Sequence, residues 1–167
     1  YLEYQSLNSK LKSMILRSPE SILFTLKNKQ KNKVNNIDIE IKFKNYKKIL
    51  ANRDKAIRQG YLEDPEFVDA RIKFDGKKYK AKVRLKGDLS DHWLAKNRMS
   101  LRINLKNGNT ILGFNKFSLQ KPRTRQYPYD QAFQDSLRDL GNIAANHSYA
   151  TVSLNGEDWG LMNIEEH

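Results

Sequence analysis

Cysteine is absent from the chain. Its absence removes disulfide stapling, thiolate-bound zinc and a cysteine nucleophile. It leaves the compartment open, because a cysteine-free chain works on either side of a membrane. No apolar run approaches the roughly 20 residues a spanning helix needs, and no signal-peptide pattern opens the sequence. The chain begins at Tyr1 rather than Met, so a signal or membrane anchor upstream of residue 1 is compatible with it. Histidine is scarce: His92, His147 and His167 stand far apart in sequence. Without an H-x-x-x-H or similar spacing, no metal site built on histidine is expected, and each reads as a surface or packing residue. The G-x-S-x-G elbow, the P-loop and G-x-G-x-x-G are all missing.

Acid is also in short supply. Against 31 Lys and Arg there are 19 Asp and Glu among 167 residues, a net charge of +12. Such a surface attracts anions: nucleotide phosphates, acidic lipid, acidic protein or nucleic acid. A lysine-rich surface that only keeps the chain soluble is an equal reading. An RNA-recognition sheet would carry exposed aromatics on a central strand. Lysines occupy that face here, so nucleic acid rests on charge alone and is not favoured.

Residues 1–33 read as a helical lead-in. Leu2, Leu7, Leu11, Met14 and Ile15 recur at helical spacing. Ser18-Pro19-Glu20 then opens a second short helix with Ile22, Leu23 and Leu26 on one face. A polar basic linker follows over residues 27–33, either a solvated tether or a segment meeting anionic lipid. The globular part, 34–167, begins with an alternating strand containing Ile37, Ile39, Ile41 and Phe43. A helix over 45–60 points Tyr46, Ile49, Leu50 and Ile57 inward and stops at Gly60. A hairpin turns at Asp75-Gly76. Its return strand sets Tyr79, Ala81, Val83 and Leu85 on one face and Lys78, Lys80, Lys82, Arg84 and Lys86 on the other. A second hairpin turns at Asn107-Gly108-Asn109. Tyr129, Phe133, Leu137 and Leu140 mark a helix ending at Gly141, and a last hairpin turns at Asn155-Gly156. The order is strand, helix, four strands, helix, two strands: an α+β fold with an antiparallel-rich sheet.

Three segments carry candidate chemistry. The basic strand runs into Lys86-Gly87-Asp88-Leu89-Ser90, a turn whose amides can cup a phosphate. Lys121, Arg123 and Arg125 precede the helix at 127–140, and a helix start with added cations favours an anion, or simply caps the sheet. The strand after Trp159 ends in Glu165-Glu166, and hairpin structure accounts for Asn155 and Gly156 but not for two acids closing a buried strand.

These segments, in this order, resemble the CotH (spore coat protein H) kinase-like family. The resemblance rests on Lys86-Gly87-Asp88-Leu89-Ser90, Ser100-Leu101-Arg102-Ile103, the run from Ser118 to Tyr127, Asn155-Gly156 with Gly160, and Glu165-Glu166-His167. It covers roughly residues 66–167. It implies the N-terminal part of an atypical protein kinase domain: a sheet-rich small lobe with one packed helix, the one over 127–140, truncated before the catalytic lobe. The full-length protein would phosphorylate Ser or Thr in secreted, surface or coat proteins, using ATP with Mg2+ or Mn2+. The turn at 86–91 (Lys86, Gly87, Asp88, Ser90) would lie over the phosphates. Arg102, Lys121 and Arg125 are the phosphate-cation candidates, Asp130 would pair with one of them, and Glu165 and Glu166 would sit at the hinge beside adenine. No catalytic residue would fall within the chain, and no metal ligands are assigned. Localisation would be the cell envelope or an extracytoplasmic surface. Many members carry a lysine where this chain has Met99. The alternative is a non-catalytic surface or spore-coat module with a basic anion-binding face.

Overall fold

A computed structural model describes residues 34–167. The lead-in helices and basic linker expected over 1–33 lie outside the described residues. From Asn35 the order is β1 (Asn35–Ile41), α1 (Phe43–Gln59), β2 (Val68–Phe74), β3 (Lys77–Leu85), β4 (Leu101–Leu105), β5 (Lys116–Gln120), α2 (Tyr129–Asp139), β6 (His147–Leu154) and β7 (Glu157–Glu166). Short 3-10 turns span Ser90–His92 and Pro122–Arg125. The strand and helix order matches the sequence reading, and the class is α+β. Among the described residues no helix is long and apolar enough to cross a membrane.

The sheet is closed. Strand order is β1-β2-β3-β4-β5-β7-β6, and β6 returns to β1. Every pair is antiparallel except β1–β6, which runs parallel from Asn35↔Ala150 to Ile39↔Leu154. Closure leaves no open edge that would present unpaired backbone groups. One face of each strand fills the interior. Ile37, Ile39, Val83, Leu85, Leu101, Ile103, Phe117, Leu119, Val152 and Ile164 are all buried there. Burying a side chain of this size is worth roughly 1.5–3 kcal/mol, so alternation in seven strands drives the barrel. Asn155 fastens the seam: its Oδ1 accepts the Ile41 amide at 2.7 Å, and its own amide donates to Ile39 at 2.8 Å. Asn155 therefore does more than supply the left-handed turn position that its φ of 51° indicates.

The helix packed on the barrel is α1, not the helix over 127–140 that the resemblance casts as the lobe's one helix. Helix α1 buries Ile49 and Ala56, two turns apart, and ends where Gly60 adopts φ 86°. Ile57, expected inward, is exposed; the seven-residue step from Ile49 selects Ala56 instead. Helix α2 forms as expected but buries none of its residues. Tyr129, Phe133 and Leu140, whose spacing marked the helix, are exposed. In β7 the parity of side chains changes. Trp159 faces in, Gly160 takes φ 68°, and Met162 and Ile164 then face in, which leaves Leu161 exposed. The register shift lies opposite, between Val152 and Ser153. Met99 is fully buried in the core, a packing role for the position where the resembling family often has lysine.

Candidate functional site

Because the interior takes one side chain in two, the other face of β3–β4–β5–β7–β6 points outward. Register sets Arg84 opposite Arg102, Arg102 opposite Ser118, Ser118 opposite Glu165, and Glu165 opposite His147. These five residues form one row across five strands. The basic stripe of β3 feeds into it. Lys78 and Lys80 are exposed and Lys82 is half-buried. Lys86 lies just past the strand with its side chain only 16% exposed. The outward face is thus solvated at one end and covered at the other. The cover is the segment from the Pro122–Arg125 turn through α2.

Glu165 is the centre of the covered part. It accepts a hydrogen bond from Gln120 Nε2 and lies 3.6 Å from Lys86 Nζ and 2.8 Å from Arg125 Nε. Arg125 Nε is also 3.2 Å from Asp130 Oδ2. Lys86 Nζ donates to Gln120 Oε1 at 3.3 Å. Burial pushes the Glu165 carboxyl up, but Lys86 and Arg125, with the Gln120 hydrogen bond, hold it below the usual range. Burial pulls the Lys86 ammonium down, and the Arg125 and Arg102 cations add to that despite Glu165. Arg84, Lys86, Arg102 and Arg125 thus stand around two carboxylates, Glu165 and Asp130.

The excess is greatest between Arg84 and Arg102. Like charges directly opposite on one sheet face are destabilising. Burial and the neighbouring Arg84 together lower the Arg102 guanidinium from its ordinary value. The Nε atoms of both arginines are buried without a hydrogen-bond partner, and so is Ser118 Oγ between Arg102 and Glu165. Arg84 also lies 5.0 Å over the Phe67 ring. Arg102 Nη2 contacts His167 Nε2. A cavity of about 330 Å³ opens on Arg84, Lys86, Gly87, Asp88 and Arg102. Among the described residues the amides of Gly87 and Asp88 donate to no protein acceptor. Three cations, free amides and orphaned donors around one cavity can hold a polyvalent anion.

Glycine is required at 87. Its φ is 96°, and a Cβ there would stand 2.1 Å from His92 Cγ. His92 is fixed by a 2.9 Å contact of Nδ1 with Ser100 Oγ, and Trp93 Nε1 donates to Gly87 O at 3.1 Å. Arg53 of α1 donates to Trp93 O at 2.7 Å, so the packed helix braces the turn.

Of the residues named from sequence, Lys86, Gly87, Asp88 and Arg102 share the cavity. Lys86 links them to Glu165, Arg125 and Asp130. Arg125 is the cation that Asp130 pairs with. Ser90 is exposed on its turn, and Lys121 joins no ion pair among the described residues. Glu166 parts from Glu165, as adjacent strand residues must, and accepts from Asn146 at 2.6 Å instead. Arg84, Gln120, Ser118 and His147 escaped sequence reasoning. Arg84 was visible as part of a stripe, but only register could set it against Arg102. No family model matches the chain, and no curated protein matches it.

Proposed function

We propose that this chain is the nucleotide-binding part of a CotH-like atypical protein kinase, acting with ATP and Mg2+ or Mn2+ on Ser or Thr of proteins at the cell envelope. The observation that carries the reading is the Arg84–Arg102 pair, two opposed cations with orphaned Nε atoms beside Lys86 and the open amides of Gly87 and Asp88. A triphosphate would relieve that repulsion and satisfy those donors together. Lys86 held by Glu165 supports it further, because a carboxylate fixes the ammonium where a phosphate oxygen would meet it. The ordered motifs from Lys86 to His167 support the family reading. On this reading the antiparallel run β2-β3-β4-β5-β7-β6 would stand for a kinase small lobe, with β1 and the parallel seam added to it. Bound ATP and its metal would supply the phosphoryl group and its charge neutralisation. This chain's own residues would bind and orient the phosphates.

Titrating Mg2+–ATP into the folded chain by calorimetry tests the reading. Saturable binding, stronger than that of tripolyphosphate and weakened at least tenfold by Arg102→Met, is expected. A folded chain that binds no ATP at low salt removes it.

A second reading, a non-catalytic surface module with a basic face, draws on β2–β3. There Arg71 faces Lys80 and Lys73 faces Lys78 across the strands. Equal affinity for ATP, tripolyphosphate and acidic polymers, lost together as salt rises, would favour that reading.

A further inference from the structure

A second kind of site lies where the outward row meets α2. One ligand atom each of Asp130, His147 and Glu165 falls within 4.8 Å of the other two. They come from three elements: β6, the first turn of α2 and the end of β7. The His147 side chain is only 1% exposed, and its Nε2 has no hydrogen-bond partner. It faces Asp130 Oδ2 at 3.8 Å, and that oxygen also lacks a hydrogen bond. A buried imidazole nitrogen and a buried carboxylate oxygen facing each other without a bond are costly unless something sits between them.

The surroundings are those of a ligating histidine. Asn163 Nδ2 and Oδ1 both lie 3.3 Å from His147 Nδ1, so the amide can meet that nitrogen with its oxygen. If Nδ1 carries the proton and donates it there, the Nε2 lone pair is turned toward the two acids, the arrangement a ligating histidine shows. Glu165 is oriented in the same way by Gln120.

The group now between the carboxylates is Arg125, and it fits poorly. Its Nε is 2.8 Å from Glu165 and 3.2 Å from Asp130, yet that N–H forms no hydrogen bond with either. The contact is one of charge without alignment. Arg125 is about one-third exposed. It borders a cavity of about 380 Å³ lined by Thr124, Gln126, Tyr129, Asp130 and Phe133, which gives it somewhere to go.

We propose that Asp130, His147 and Glu165 form a binding site for a first-row divalent metal ion, with Arg125 as the removable cation that holds the seat when the ion is absent. One imidazole and two carboxylates suit Zn2+, Mn2+, Fe2+ or Co2+ rather than Mg2+, which prefers an all-oxygen shell. Bonds of about 2.0–2.2 Å bring such ligands to roughly 3–3.5 Å from one another, so the triad closes by about 1 Å on binding. Three protein ligands leave positions open for water or an anion. The site stands on its own residues and needs no nucleotide.

Proton NMR of the three imidazoles tests this on the intact chain without any substitution. Adding Zn2+ should shift the His147 ring signals at about one equivalent, and Mn2+ should broaden them before those of His92 or His167. Calorimetry with Zn2+ should then show affinity falling at least tenfold in His147→Ala and in Asp130→Asn. It should rise in Arg125→Ala, where the competing cation is gone. A purely structural Arg125 would give no such rise. Zn2+ that leaves the His147 signals unmoved in the folded wild type overturns the proposal. So does affinity unchanged by Asp130→Asn.

Discussion

Replacing Arg102 by Met keeps most of the aliphatic stem and deletes the charge. Arg84 and Arg102 stand directly opposite in the β3–β4 ladder, where Cβ atoms lie about 4.5–5.5 Å apart. For two unit charges about 6 Å apart, near that Cβ spacing, Coulomb's law gives about 0.7 kcal/mol in water and about 2.8 kcal/mol at an effective dielectric of 20. Both side chains are half-buried, so solvent screening brings the figure to about 1 kcal/mol. The contact with His167, an exposed residue, offsets only a little of it. Arg102→Met should therefore raise the melting temperature of the ligand-free chain by about 3 °C at low salt. Added salt should raise the wild type and close the gap as the Debye length shrinks to about 3 Å at 1 M. The same change removes charge-assisted hydrogen bonds worth about 1.5–3 kcal/mol, about 10- to 100-fold in ATP affinity. Thermal melts across a salt series, paired with ATP titration, read both effects. A variant that melts lower than wild type at low salt, or that binds ATP undiminished, would refute the reasoning.

Gly87→Ala forces a side chain into a left-handed φ and against the His92 ring. Strain of about 1–2 kcal/mol and overpacking of about 1–3 kcal/mol should add. Gly113→Ala meets nothing within 4 Å and should cost only the strain; equal costs in urea melts would show the His92 contact to be irrelevant. Asn155→Gly keeps the turn but frees the Ile41 amide. It should lose about 1 kcal/mol and speed exchange of that amide, whereas unchanged exchange would mean the seam does not depend on Asn155. For His92, burial lowers the folded pKa below 6.5. The unfolded chain then binds the proton more readily, so stability is full above about pH 6.5 and declines as pH falls below it. His92→Gln should flatten that part of a pH–stability profile, and an unaltered slope would assign it to other groups.

Much of the fold was legible locally. Period-two alternation located the seven strands, and the Asp75-Gly76 and Asn155-Gly156 turns set two tight hairpins, because both signals act over a few residues; the Asn107-Gly108 turn only opens a longer loop over 106–115, in which Ile111 bridges Phe114 rather than β4. The exceptions have physical causes. Ile57 and Ala56 are adjacent, and only docking of α1 on the barrel chose between them. Leu161 is exposed although it lies two residues from the inward Trp159, because the bulge beside Gly160 shifts parity, and a bulge leaves no trace in an alternating pattern. The apolar stripe of α2 was real as a pattern, but no barrel surface meets it.

The sequence by itself determined the inward-facing rows of β2, β3, β4 and β6, the five cations sharing one side of β3, and the acid at the end of β7. Tertiary structure decided what those groups meet. Ile37 and Ile39 suit an open edge or a closed seam equally well, and pairing with residues more than 110 positions away made it a seam. Arg84 and Arg102 became neighbours, and Glu165 met Lys86, Arg125 and His147, through register across strands distant in sequence. Alternation is a property of one strand, whereas a site is built from several, and nothing local to any of them encodes the offset between them.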